Sequence, residues 1–383
     1  MGGRHRIRSR FSSHPWWTAA IVVTVCALAA ATGALIDSRV SPSNAGASST
    51  GSQTGHSSVE LLSSSPAPGA TGVAPDASLS LRFSTALSAG GGRPTLNPAV
   101  PGTWIQTSPG TLAFEAAGSL PPGQTEQISV PGGASGILAA DGLHLAQGVT
   151  VSFKVAPMST LRLQQLLAEL DYLPLSFTPS DPAPVPPTEL ATQQLGSFAW
   201  RWSDLPSSFV SLWSPGQLSV IVTGAVMVFE SQHQLATDGE AGSQVWQALM
   251  QAAEAGQTNT YGHYDFVEVY TSIPEHLSLW RDGAMIYTTP ANSGIEAAPT
   301  ELGTWPVYAR YVLTTMSGTN PDGSHYSDPN IPWVSYFHGG DALHGFNRSS
   351  YGTPQSLGCI EMPPANAEVV YPYTPIGTLV TVS

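Results

Sequence analysis

The spacing of apolar positions changes character several times along this chain. Trp16 to Ile36 carries no charge and is long enough to cross a bilayer core of about 30 Å. Leu79, Leu81 and Phe83 then alternate with polar neighbours, and Val149–Val155 does the same. That period of two belongs to half-buried strands, and the turn residues between such runs predict a small β-sandwich over 59–157. From Thr160 the period lengthens. Leucines at 161, 163, 166, 167 and 170 predict an amphipathic helix over 160–171, and Val226, Val228 and Phe229 place a second helix over 224–234. Ser243 is expected to cap a third, which carries Val245, Trp246 and Leu249. Alternation returns at Phe266–Tyr270, and Arg281-Asp282-Gly283 marks a hairpin turn within 277–287. The pattern predicts a multidomain, mainly β chain: a sandwich, a small helical module over 158–256 with an insertion at 174–222, and a mainly β domain over 265–383.

Composition sharpens this reading. Only 10% of residues are charged, while 38 are glycine and 33 proline, as expected of turn-rich β domains and linkers. A net charge of −13 argues against a nucleic-acid partner, which demands basic patches. Arg4, Arg6, Arg8 and Arg10 precede the uncharged span, so residues 1–15 are expected to stay cytoplasmic and the C-terminal bulk to lie outside. The expectation is a single-pass anchor in the cell membrane over 16–36, with extracytoplasmic domains facing the cell wall. Ala27-Leu28-Ala29 and Ala29-Ala30-Ala31 keep a cleaved signal peptide open as the alternative, which also exports the protein. Residues 37–58 are rich in Ser, Gly, Ala and Thr and read as a flexible tether.

The candidate chemistry lies between His344 and Met362. Cys359 is unpaired, because the other cysteine, Cys26, falls within the uncharged span. A lone thiol is unusual in an exported protein. As a nucleophile it needs a nearby base, and His344, fifteen residues upstream, can supply one. Pairing with His344 should lower the thiol pKa. Gly358 permits a tight turn that presents amide N–H groups to a developing oxyanion. The competing reading makes Cys359 a small buried hydrophobe and His344 a loop residue. His325, His338 and His344 are interspersed with Asp322, Asp328 and Asp341, but without metal-ligand spacing, so neither a metal nor a cofactor is expected.

His344-Gly345 and Ser356-Leu357-Gly358-Cys359-Ile360-Glu361 resemble the signature of L,D-transpeptidases of the YkuD type. Asn292-Ser293-Gly294 and Thr300-Glu301-Leu302-Gly303-Thr304-Trp305 fall at that family's other landmarks, in order. The resemblance implies a peptidoglycan L,D-transpeptidase working through a cysteine acyl-enzyme. Its substrates would be stem peptides and glycan, its product a 3→3 cross-link or another acceptor attached to the stem, and carbapenem-type inhibitors would acylate it. Cys359 would be the nucleophile and His344 the base. The Gly345 carbonyl would orient the histidine, and the N–H groups of Gly358 and Cys359 would hold the oxyanion. Ser356, Tyr336, Arg348 and Glu361 are the candidate substrate-binding residues. Leu357 stands where the family usually has histidine, with His338, Tyr351 or Tyr336 as candidates to fill its place. Glu361 stands where it usually has Arg or Asn, which is expected to repel a substrate or drug carboxylate unless Arg348 compensates.

The segment from Ser65 to Ser84 resembles bacterial Ig-like modules and implies a spacer. Phe229-Glu230 with Asp238-Gly239-Glu240-Ala241-Gly242 resembles a peptidoglycan-binding helical module. In the insertion, Trp200, Trp202 and Trp213 read either as local packing or as platforms for sugar rings. Two further functions stay open: a carboxypeptidase or endopeptidase that gives the thioester to water, and an inactive wall-binding scaffold.

Overall fold

The computed structural model describes residues 58–383. The expected basic N-terminus, the uncharged span and nearly all of the tether lie outside them. No helix among the described residues is long and apolar enough to cross a membrane.

Period-two alternation between Leu61 and Lys154 produces seven strands: β1 (Leu61–Ser65), β2 (Leu79–Phe83), β3 (Thr95–Asn97), β4 (Gly102–Ser108), β5 (Thr111–Ala116), β6 (Thr125–Val130) and β7 (Val149–Lys154). They form two antiparallel sheets, ordered β1-β2-β5-β4 and β3-β6-β7. Leu79, Leu81, Phe83 and Leu112 from the first pack with Ile128, Val130, Val151 and Phe153 from the second. Burying each such side chain contributes about 1.5–3 kcal/mol.

One inward position breaks the rule. Glu126 shares the buried face of β6 with Ile128 and Val130, is wholly inaccessible, and has no hydrogen-bond partner for either oxygen. Burial pushes its pKa up to about 7. The folded pKa lies above the unfolded one, so the stability this group contributes is fully present below pH 4.5 and is lost as pH rises through 7. Glu126→Gln should therefore raise the stability of the sandwich at pH 8 by about 3 kcal/mol and have little effect at pH 4. Calorimetry of the chain at both pH values checks this; an equal effect at the two sinks it.

The helical stretch holds α1 (Thr160–Glu169), α2 (Ser207–Val210), α3 (Val220–Gln232) and α4 (Ser243–Ala255). Ser159 caps α1, its Oγ accepting the Arg162 N–H at 3.1 Å. Two sequence expectations shift here. Helix α3 starts at Val220 rather than 224, because Ile221 and Val222 are themselves fully buried. The N-cap of α4 is Gly242, so Ser243 is the first helical residue and makes no capping bond. The insertion is a hairpin, β8 (Leu175–Pro179) with β9 (Gly196–Trp200), followed by α2. Its tryptophans are packing residues: Trp213 lies 5.2 Å from Phe198, Trp200 6.0 Å from Phe209, and Trp202 abuts the turn at Gly283.

The C-terminal part has two sheets. The first, β12-β11-β10-β18-β13, is built from β10 (Asp265–Tyr270), β11 (His276–Arg281), β12 (Ala284–Pro290), β13 (Gly303–Pro306) and β18 (Leu379–Val382). The second, β14-β15-β16-β17, is built from β14 (Ala309–Thr319), β15 (His325–His338), β16 (Asp341–Gly345) and β17 (Ile360–Met362), with α5 (Pro364–Val370) beside it. The turn between β11 and β12 has φ of 51° at Asp282 and 78° at Gly283, the positive pair a two-residue hairpin needs. Val267, Val269, Leu277, Leu279 and Val380 pack with Phe337, Leu343, Ile360 and Met362 between the sheets.

The helices do not have a core of their own. Leu166, Phe209, Ile221, Val226, Phe229 and Leu249 form one cluster with Phe266 of β10 and Leu379 of β18. Helix α3 approaches the C-terminal sheet so closely that a Cβ on Gly224 would lie 2.6 Å from the Gly377 carbonyl oxygen.

Candidate active site

Strands β16 and β17 run parallel, with Leu343 opposite Ile360, His344 opposite Glu361 and Gly345 opposite Met362. Side chains alternate across a sheet, so the register sorts them. Leu343, Ile360 and Met362 enter the core between the sheets. His344 and Glu361 share the opposite face, and Cys359, two residues before Glu361, joins them. All three line one cavity of about 580 Å³. The β14–β15 hairpin supplies another wall through Met316, Asn320, Tyr326, Asp328 and Ile331.

His344 is buried, and its Nδ1 lies 3.1 Å from the Gly345 carbonyl oxygen. A carbonyl only accepts, so Nδ1 carries the proton and Nε2 keeps its lone pair for a substrate or thiol proton. Burial holds the imidazole pKa below its usual value, which keeps the ring neutral and able to act as a base. The Cys359 thiol departs from expectation. Its pKa does not fall beside His344; desolvation pushes it up to about 12, and the carboxylates of Asp341 and Glu361 add to the rise, against the Ala342 N–H. Both shifts favour a protonated thiol beside a neutral imidazole.

The turn before the cysteine is closed by its own groups. Gly358 has φ of 116°, and a Cβ there would lie 2.3 Å from Asp341 Oδ1, so both backbone and space require glycine. The Gly358 N–H donates to Ser356 Oγ at 3.2 Å, and the Ser356 hydroxyl donates to the Cys359 carbonyl at 2.5 Å. Ser356 borders the cavity, but its hydroxyl is engaged within the turn and braces it, where substrate contact was expected.

A family model of the L,D-transpeptidase catalytic domain matches residues 267–382. The chain carries an L,D-transpeptidase catalytic domain. A second model, of a bacterial Ig-like domain, matches residues 56–155. No curated protein matches the chain. Among solved structures, an L,D-transpeptidase from Mycobacterium smegmatis is 13% identical over 85% of this chain and 99% of its own, with a TM-score of 0.29. L,D-transpeptidase 3 from Mycobacterium tuberculosis, in complex with a faropenem-derived adduct, is 12% identical over 84% and 97%, also at 0.29. The catalytic domain of the Enterococcus faecium L,D-transpeptidase is 27% identical over 31% of this chain and 95% of its own, again at 0.29. The assignment rests on the two family models.

Within the L,D-transpeptidase domain, Arg348 is not free to meet a substrate carboxylate. It grips Glu361 with two bonds, Nε to Oε2 at 2.7 Å and Nη2 to Oε1 at 2.8 Å, and also donates to the Gln355 carbonyl at 3.1 Å. The pair corrects two expectations at once: Glu361 is neutralised rather than repelling, and Arg348 is occupied rather than waiting. Glu361 is almost fully buried while Arg348 keeps some solvent contact. Arg348→Ala would strand the carboxylate and should cost about 2 kcal/mol in stability, read as a lower Tm. An unchanged Tm would show the pair to be energetically idle.

Tyr336 does not border the cavity. It sits in a tyrosine cluster, 6.1 Å from both Tyr308 and Tyr311, and burial followed by the nearby Cys359 pushes its pKa up to about 12. Tyr351 donates to the Phe346 carbonyl at 2.6 Å and braces the loop after the histidine. His338 packs 4.5 Å from Trp305, and its Nδ1 lies 3.9 Å from Asp341. Leu357 itself lines the cavity.

Two supports escaped the sequence reading. The buried Glu275 accepts the Ser293 N–H at 2.7 Å and its hydroxyl at 2.6 Å, while the Ser293 carbonyl accepts the N–H groups of Gln355 and Ser356 at 2.8 and 2.9 Å. The backbone of Asn292 exchanges two bonds with Glu361, at 2.8 and 2.9 Å, and its side chain accepts the Gly352 N–H. Asn292-Ser293-Gly294 was visible as a turn; Glu275 follows a proline in no recognisable pattern.

Proposed function

We propose a peptidoglycan L,D-transpeptidase in which Cys359 is the nucleophile and His344 the general base. The observation that carries this is that His344 on β16 and Cys359, just before β17, line one cavity, with the His344 Nδ1 proton directed to the Gly345 carbonyl. His344 Nε2 takes the thiol proton as sulfur attacks the stem-peptide carbonyl of the diamino acid. The oxyanion meets the Cys359 N–H, and the Gly358 N–H once it leaves Ser356 Oγ. The C–N bond to the terminal D-alanine breaks, the leaving amine takes the proton from His344, and a thioester remains. An acceptor amine then attacks the thioester, giving up a proton as the new amide forms and the thiol is restored.

With no ion pair at rest, the proton moves as sulfur attacks, so His344 acts as a true general base. The basic N-terminus and uncharged span support an enzyme held at the outer face of the membrane, and the Ig-like domain suits a spacer towards the wall. The contact between Glu230 and the Gly239 N–H, 2.9 Å long, links the two parts of the wall-binding-like sequence motif and supports a peptidoglycan-binding role for the helices.

Mass spectrometry of the whole chain incubated with tetrapeptide muropeptides tests the proposal. Expected are a cysteine-linked acyl adduct with loss of D-alanine, then cross-linked dimers when an amine acceptor is present. Tripeptides alone, with acceptor in excess, would identify a hydrolase; no adduct at all would leave a scaffold. A β-lactam of the carbapenem class should also acylate Cys359, and an adduct that persists in Cys359→Ala would overturn the assignment.

A further inference from the structure

The cavity has an unbalanced set of charges. Among its lining residues Arg348 is the only lysine or arginine, and its Nε and Nη2 are bonded to Glu361, Nη2 to the Gln355 carbonyl as well. His344 is neutral, as its burial requires. The other ionisable lining groups with formal charge are Asp328 and Asp341. Among the described residues lining the cavity, then, no cation is left over, and the surplus is acidic. A carboxylate brought into such a site loses water without gaining a partner, which is expensive, whereas an amide or a methylene loses far less.

Resting on the proposed L,D-transpeptidase reading, we propose that the Arg348–Glu361 pair sets donor specificity, selecting stem peptides whose diamino acid carries no free side-chain carboxylate. The favoured donor has that carboxylate amidated, or has lysine, which lacks it. The terminal D-alanine carboxylate is common to every donor and cancels in the comparison. The same acidic surplus suits the acceptor, whose attacking group enters as a protonated amine and must shed its proton within the site.

Glu361 acts here through Arg348, as a positioning residue that holds the guanidinium out of use. Removing its charge returns a cation to the cavity and leaves Cys359 and His344 in place; the easing of the thiol pKa that follows is common to every donor and cancels in their ratio. The consequence is a levelling of preference among donors rather than a uniform loss of rate, which a merely structural role would not produce.

The experiment uses the whole chain and three tetrapeptide donors that differ at one group: free carboxylate, amide, and lysine. Acyl-enzyme formation is followed by intact mass, and kcat/KM is measured with an amine acceptor. The wild type should use the amidated and lysine donors about tenfold or more better than the free acid. Added salt should narrow the gap. Glu361→Gln should raise kcat/KM for the free acid and bring the ratio close to one. Equal use of all three donors by the wild type overturns the specificity inference and leaves the transpeptidase standing, with no variant needed. Turnover of none of them overturns the transpeptidase reading and this inference together.

Discussion

Alanine at His344 should lower the rate of acyl transfer by about 10³-fold, and alanine at Cys359 should abolish it. The size follows from the geometry. His344 is the only imidazole bordering the cavity among the described residues, and its Nδ1 proton is directed to the Gly345 carbonyl, so Nε2 is the one imidazole nitrogen left to take the thiol proton. The thiol starts protonated and cannot react without giving up that proton, so losing the base forfeits the step outright. Leu357→Ala should cost far less, since a hydrocarbon side chain has no proton to exchange. Single-turnover rates on a tetrapeptide donor, beside unchanged circular dichroism, provide the check. More than a tenth of wild-type rate in His344→Ala would remove histidine from the mechanism.

The second large effect concerns the free enzyme. Cys359 should react with iodoacetamide at pH 7.5 about 10²-fold or more slowly than an unperturbed cysteine, with the rate still climbing at pH 10. The direction comes from burial, reinforced by Asp341 and Glu361, and the pKa of about 12 puts any plateau beyond that range. Since the folded pKa lies above the unfolded one, the native state is favoured while the thiol is protonated, and alkali above pH 9 works against it. Peptide mapping separates Cys359 from Cys26. A plateau near pH 7 would mean a resting thiolate–imidazolium pair and would refute the general-base account.

Much of this architecture is readable in the sequence because two periods dominate it. Alternation marks β2, β7 and β10 directly, and Asp282-Gly283 declares its turn. Cys359 and His344 are legible as a pair because a thiol nucleophile needs a base, and the His344-Gly345 and Gly358-Cys359 steps resemble the family's signature. What escaped is non-local. Nothing adjacent to Glu361 in the chain says that Arg348, thirteen residues away, closes on it. The rise in the Cys359 pKa depends on desolvation and on Asp341, which reaches the turn from the start of β16. Ser356 entered as a substrate contact through the resemblance alone, and the fold directs its proton to the Cys359 carbonyl.

The sharing of one core by the helices and the C-terminal sheet bears on how this enzyme can be inherited or recombined. A gene fusion cut just before Asp265 would carry Cys359, His344 and their cavity and yet bare Phe266 and Leu379, whose partners Phe209, Ile221 and Val226 lie upstream. Gly224 would lose its counterpart at Gly377. The portable cassette is therefore the stretch from about Ser159 onward, while the Ig-like sandwich, with its own closed core, is the part that shuffling can replace.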